Sequence, residues 1–324
     1  MHKSTPPLTA LALLLAFGLQ VAPAHAQLSR TFVSAATGSD GNNCDRSTPC
    51  RTFQGAHDKT NDQGEIVVLD PGGYGSLTIG KAISIVNDGV GEASILVSGS
   101  ATGITVIASG VSDINLRGIT VQGIGFGGGN GLLYTAGRSL TITNCVFRNL
   151  TGAGNSGNGI VFAPANGTAY LAVIDTLVAD NGGFGIEVQP VAQMNANVAL
   201  RRVNILNNGA DGLVLNGAQN SGTVSAMMVE SATARNGGNG IFIHTDANRA
   251  AVELMALRST ITRNGGNAFV VSNSPNARMF IGQSSVIDNA FSWDATGGAA
   301  LFSFGDNEVA RNSGDRPMPT APPI

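Results

Sequence analysis

Four phrases in the second half of the chain repeat one another at an almost constant interval. They are Asn181-Gly182-Gly183-Phe184-Gly185-Ile186, Asn208-Gly209-Ala210-Asp211-Gly212-Leu213, Asn236-Gly237-Gly238-Asn239-Gly240-Ile241 and Asn264-Gly265-Gly266-Asn267-Ala268-Phe269. Their leading asparagines stand 27, 28 and 28 residues apart. A self-similar period in the range of ~20–50 residues points to a stacked repeat before any other fold is tried.

Two further columns share the period. Glycine or alanine followed by an apolar-x-apolar triplet recurs at Gly103, Gly131, Gly159, Gly185, Gly212, Gly240 and Ala268. Within a triplet the faces alternate as in a strand, with Ile186 and Val188 on one side and Glu187 on the other. The asparagine column runs Asn149, Asn181, Asn208, Asn236, Asn264, Asn289 and Asn312. Three residues before it stand Val146, Val178, Ile205, Thr233, Ile261, Val286 and Val309. Each repeat therefore holds at least two short strands joined by glycine-rich turns, with no helix between them. Short parallel strands without crossover helices must wind as a coil, which stacks equivalent residues about 4.8 Å apart. The asparagines then form a structural ladder, and the glycines beside them are expected to take positive φ at the corner.

The ends of the chain read differently. Lys3, the apolar run over residues 8–19 and the small residues Ala24-His25-Ala26 make residues 1–26 a secretory signal peptide. No later stretch reaches 18 consecutive apolar residues, so no membrane span is expected and the protein is placed in the periplasm or outside the cell. Residues 27–50 form a polar leading segment, in which Cys44 and Cys50 predict a local disulfide in an oxidising compartment. Cys145 is left as a buried free thiol. Phe53, Ala56 and Thr60 stand at helical spacing and predict a short amphipathic helix at residues 52–60. Residues 51–312 are read as one coiled domain of about nine turns. Residues 313–324 are read as a disordered, proline-rich tail that blunts the last open edge.

Composition excludes some partners. The formal charge is −3, and beyond the signal peptide only Lys59 and Lys81 remain as lysines, so no basic stripe for nucleic acid exists in the sequence. Charged residues are 12%, well under the usual ~25%, so the backbone must be satisfied largely by sheet ladders.

The chain resembles the right-handed parallel β-helix proteins of the pectate-lyase-like superfamily over roughly residues 50–312. The likeness rests on Thr52-Phe53-Gln54-Gly55-Ala56, on the run from Gly64 through Asp70-Pro71-Gly72-Gly73-Tyr74, and on the Asn-Gly-x-x-Gly-Ile coils. It implies an all-β, single-stranded right-handed parallel β-helix with a helix capping the first coil. Fold alone does not imply function, because lyases, hydrolases, esterases and adhesins share this scaffold.

The expected catalytic strings are missing. Polygalacturonase-like hydrolases carry Asn-Thr-Asp, Asp-Asp, Gly-His-Gly and Arg-x-Lys on successive coils, and none occurs here. Inverting hydrolysis needs two carboxyl groups about 6.5–9.5 Å apart, and beyond the signal peptide there is no adjacent acidic pair. Pectate lyases gather carboxylates on Ca²⁺, and dispersed coils can supply such a set. Residues 75–82 nearly fit a phosphate loop, but Ala82 replaces the hydroxyl residue. Gly123-Ile124-Gly125-Phe126-Gly127-Gly128 leads into more glycine rather than a helix.

Two columns are candidate binding faces. Six residues before each asparagine stand Thr143, Asp175, Arg202, Glu230, Arg258, Gln283 and Asp306, four of which alternate in sign. A salt-bridge ladder explains them, as does a wall that meets an acidic or hydroxyl-rich polymer. Four residues after the glycine anchor stand Gln189, Asn216, His244 and Ser272, with Asp246 beyond. No catalytic or metal-binding residue is assigned and no cofactor is expected, Ca²⁺ entering only under a lyase alternative. The sequence favours an exported non-catalytic protein that meets polysaccharide or a cell-envelope surface. The alternative is a polysaccharide lyase acting by β-elimination, which is preferred to a glycoside hydrolase.

Overall fold

The computed structural model describes residues 28–152, 157–165 and 167–320. The signal peptide expected at residues 1–26 lies outside them. Among the described residues the chain winds as a right-handed coil whose strands form three parallel sheets of 11, 10 and 9 strands. We call these sheets A, B and C in the order in which each turn visits them. Nine successive strand triplets run from Thr60–Val68, Gly72–Gly73 and Leu77–Ile79 to Ala277–Gly282, Ser285–Ile287 and Phe291–Ala295.

The periodicity predicts at least two strands per repeat, and the structure has three. Sheet A supplies the third and longest, as in Met194–Arg201 and Thr223–Val229. Along Met194–Arg201 burial alternates at every residue, so Met194, Ala196, Val198 and Leu200 face the core and the others face out. Inward residues stack in register from rung to rung: Leu171 on Val198, Val198 on Ala226, Ala226 on Leu254, Leu254 on Met279. The core is therefore one continuous apolar column, which no single repeat has enough surface to build.

Left-handed backbone marks the corners, but not at the glycines that follow the asparagines. Between sheets A and B the positive φ falls on Asp175, Arg202, Glu230, Arg258 and Gln283, between 48° and 51–52° in each case. Between sheets B and C it falls on Asp180, Asn207, Arg235, Arg263, Asp288 and Arg311, one residue before each asparagine. The strain of a non-glycine residue there is offset because the ladder continues through the bend: Arg202 N–H donates to Val229 O and Glu230 N–H to Leu257 O. The glycines expected to supply positive φ have a different task. A Cβ on Gly209 would lie 2.4 Å from Gly182 O, and one on Gly237 would lie 2.3 Å from Gly209 O. They let successive coils come close.

The asparagine ladder is present from Asn181 to Asn312. Nδ2 of Asn181, Asn208, Asn236, Asn264 and Asn289 donates to Oδ1 of the next asparagine at 2.9–3.0 Å. Each Nδ2 also donates to a carbonyl of the preceding coil, as Asn208 does to Val178 O at 3.3 Å. Asn149 does not belong to this file. Pairing of Val146, Phe147 and Arg148 with Leu177, Val178 and Ala179 brings Leu150 level with Asn181, and Leu150 N–H donates to Asn181 Oδ1 at 3.2 Å. The same one-residue shift puts Phe147 in place of Val146 in the core and Asn144, at φ 53°, in place of Thr143 at the charged corner.

Both ends are covered. The helix Phe53–Lys59 starts at Thr52, whose hydroxyl accepts from Gly55 N–H at 3.0 Å, and it buries Phe53, Ala56 and His57 under the first coil. Within the leading segment Leu28–Val33 adds a parallel strand beside Thr60–Val68, and Cys44 and Cys50 are joined by a disulfide. Residues 313–320, expected to be disordered, run back over the last coil. Ser303 N–H donates to Pro319 O at 2.7 Å, Met318 packs on the core, and Asp315 Oδ1 accepts from Asn312 Nδ2 at 2.6 Å. The tail thus ends the ladder with a carboxylate. Residues 321–324 lie outside the described part.

Candidate functional surfaces on the coil

Three outward columns carry polar chemistry. The first is the corner between sheets A and B. Arg202 Nε donates to Asp175 Oδ1 at 2.5 Å and its Nη2 to Oδ2 at 2.7 Å, a bidentate pair that holds the Asp175 carboxyl below its ordinary range. Glu230 stands between Arg202 at 4.0 Å and Arg258 at 3.4 Å, and Arg201 approaches it at 3.8 Å. The structure thus brings Asp175, Arg202, Glu230 and Arg258 together as alternating partners. Their charges are directed at one another along the coil, in water-exposed positions where such pairs contribute little.

The second column lies on sheet C. Asn216 pairs with His244, and His244 with Ser272, while Gln189 follows Val188, which pairs with Leu215. His244 Nδ1 lies 3.3 Å from Ser272 Oγ and its Nε2 lies 3.8 Å from Asp246 Oδ1. The Phe242 and His244 rings stack at 5.7 Å between centroids. Asn216 Oδ1 accepts from Ala218 N–H at 3.0 Å, a local turn contact. The structure sets Asn216, His244 and Ser272 in one register on sheet C, with Ser272 buried.

Sequence reasoning missed the third column, on the outer face of sheet A. Tyr170, Asn197, Ser225 and Glu253 are paired rung on rung, and so are Ala172, Ala199, Met227 and Met255 two residues further along the strands. Tyr170 is 51% exposed and Met227 47%. A depression of about 390 Å³ lies over this double band. The signal was available: Tyr170, Asn197, Ser225 and Glu253 stand 27, 28 and 28 residues apart, the spacing of the asparagines. Toward the first coils the same face continues into a second depression of about 480 Å³ lined by Asp62, Ser84, Ser112, Asp113 and Arg138. There Arg138 and Ser139 hold the Asp113 carboxyl at about 2.

Calcium is the metal a pectate-lyase-like activity implies, and it takes about six to eight oxygen ligands. Among the described residues no three of His, Cys, Asp or Glu gather closely enough to hold a metal ion. Among those residues, too, no helix is long and apolar enough to cross a membrane.

A second amide ladder also went unread. Asn158 N–H donates to Asn130 Oδ1, Phe184 N–H to Asn158 Oδ1, Asn239 N–H to Asp211 Oδ1 and Asn267 N–H to Asn239 Oδ1. These residues precede the glycine anchors and tie the start of each sheet C strand to its neighbour.

Two solved structures show what the fold is similar to. A pectate lyase, Pel9A, superimposes with a TM-score of 0.65 at 16% identity, over 90% of this chain and 80% of its own. At that identity the likeness is one of fold. A GH136 lacto-N-biosidase from Eubacterium ramulus, in its selenomethionine form, reaches a TM-score of 0.42 at 11% identity, over 87% of this chain and 68% of its own. No curated protein sequence matches the chain. A family model described as the right-handed β-helix region matches residues 102–291, more than half of the chain. With that match laid over nine parallel strand triplets and their asparagine file, the chain belongs to the right-handed β-helix family.

Proposed function

We propose that this is an exported, non-catalytic protein that holds a polysaccharide along the outer face of sheet A. The reading rests on one observation, the in-register band of Tyr170, Asn197 and Ser225 beside the band of Ala172, Ala199 and Met227. A sugar presents hydroxyl groups at its edge and C–H groups on its face. A hydroxyl and amide band next to an apolar band matches both, and an exposed tyrosine offers a ring with a polar tip. Rungs recur about every 4.8 Å, close to the length of one hexose in an extended chain, so equivalent contacts recur along a polymer.

Export is supported by the signal-peptide pattern of residues 1–26 and by the Cys44–Cys50 disulfide, which belongs to an oxidising compartment. A pectate lyase of similar fold makes polysaccharide the natural class of ligand. The non-catalytic reading is favoured because the described carboxylates are dispersed or paired with arginines, and no elimination step is derived from them.

The test is retardation of the full-length protein on native gels containing soluble polysaccharides, both neutral and uronate. Tyr170→Ala combined with Asn197→Ala is expected to weaken retardation at least about 10-fold, as loss of a central aromatic contact does. Absence of retardation by every polymer, or an unchanged double variant, would remove the binding face. Release of unsaturated product, followed by ultraviolet absorbance in the presence of Ca²⁺, would overturn the non-catalytic reading.

A further inference from the structure

We propose that the outer face of sheet C carries a separate binding site for a protonated primary amine, with Glu187 on its floor. The observation is a break in a pattern. The middle residue of each sheet C triplet faces outward, and register aligns Leu133, Val161, Glu187, Val214, Phe242 and Val270 in one file. Every member of this six-rung stretch but Glu187 is apolar, with Thr78 and Thr105 continuing the file before it and Asp294 after it. A charge inserted into an apolar file breaks the local rule, and such breaks concentrate at functional positions.

The surroundings of Glu187 make the break expensive for the free protein. Val161 is 2% exposed, Val214 3% and Glu187 9%, so the carboxyl sits low between two valines although it points away from the core. Burial pushes its pKa up. Among the described residues nothing hydrogen-bonds or ion-pairs with it. Asp211 provides the contrast: burial raises its pKa also, yet it accepts both the N–H and Nδ2 of Asn239. Among the described residues the fully buried side-chain atoms without partners are Tyr134 Oη and Thr233 Oγ1, so the Glu187 oxygens keep a window to solvent. A ligand reaching them would meet the carboxyl between Val161 and Val214.

The chemistry selects the ligand. A hydroxyl would leave the negative charge uncompensated in apolar surroundings, which is costly. A metal ion needs more carboxylates than this one. An ammonium group neutralises the charge and brings three donors. The described strands of sheet C contain no lysine or arginine that would compete for Glu187 or repel a cation. Gln189 directly follows this strand, and Asn216 ends the next, as amides able to position the rest of the ligand.

A pair of probes with one backbone tests this. Titration calorimetry on the full-length protein would compare a glucosamine oligomer with its fully N-acetylated counterpart, which lacks the positive charge. The expected result is saturable binding of the glucosamine oligomer, weakened at least about 10-fold in Glu187→Gln and in Glu187→Val. Glu187→Val repeats the residue found on either side in the file, so at least one variant retains the fold. Binding of the N-acetylated oligomer, where it occurs on sheet A, is expected to survive both changes. Equal affinity for the two oligomers, no saturable binding of the glucosamine oligomer at millimolar concentration, or a charge preference that persists in both variants would each overturn the proposal. Loss of N-acetylated oligomer binding in the Tyr170→Ala, Asn197→Ala protein bears on sheet A alone.

Discussion

Asn208 Nδ2 and Asn208 N–H both donate to Oδ1 of Asn236, at 2.9 and 3.1 Å. A single side-chain oxygen thereby satisfies two donors of the coil before it, in a corner where Asn208 and Asn236 are both 1% exposed. Five such steps from Asn181 to Asn312 turn each corner into a template for the next.

Replacement of Asn236 by leucine tests the ladder in its middle. Two donors of Asn208 lose their acceptor inside the protein, and such a loss costs about 1–3 kcal/mol. Urea unfolding is expected to show a lower midpoint by that amount, with Asn264→Leu behaving alike. Leu150 shows that leucine fits the shape of the rung, so a neutral result would mean that the amides are dispensable.

Gly185→Ala tests close packing rather than backbone freedom. A Cβ there would lie 2.3 Å from Ile205 Cγ2, 2.6 Å from Gly212 O and 2.9 Å from Asn208 Nδ2. Overpacking of this kind costs about 1–3 kcal/mol. Thermal unfolding should shift down, whereas Gly80→Ala, with nothing within 4 Å of its Cβ, should not.

Two carboxyls predict opposite pH behaviour. Burial raises the Asp70 pKa, but hydrogen bonds from Ser34, Tyr74, Ala35 and Ala36 outweigh it and hold the group below its ordinary 3.8. A depressed pKa stabilises above the unfolded value, and that stability is lost as pH falls through and below about 4. Asp70→Asn should therefore be less stable than the parent at neutral pH, with the gap closing in acid. Burial raises the Glu187 pKa above its ordinary 4.5, so its contribution is present below that value and lost as pH rises through the folded pKa. Glu187→Gln should be more stable than the parent at neutral pH and indistinguishable from it in acid. Thermal melts across pH check both signs.

Cys145 is 2% exposed, and burial pushes its thiol up to about 11. Both effects suppress the thiolate. An aromatic disulfide reagent at pH 8 should leave the native protein unmodified and titrate one thiol after unfolding in urea. Rapid reaction of the native protein would show that the coil opens near Leu116 and Thr143, whose carbonyls face the sulfur.

The asparagines, the glycine anchors and their apolar triplets determined the coil by themselves. Residues repeated at one covalent interval are superimposed by any winding of that period, so stacking needs no knowledge of distant contacts. Cap helix and disulfide were legible for a similar reason, being local. What escaped was whatever depends on neighbours from other rungs. Sheet A went unread because its inward file, Leu171, Val198, Ala226, Leu254 and Met279, varies in identity while keeping only its apolar character. Asn149 was misplaced by one because the interval lengthens before Asn181, and only hydrogen-bond register decides between it and Leu150. Glu187 reads in the sequence as an ordinary outward residue. Its burial exists only once Val161 and Val214, 26 and 27 residues away, are stacked against it, because solvent exposure is a property of the assembled surface and not of a position in the chain.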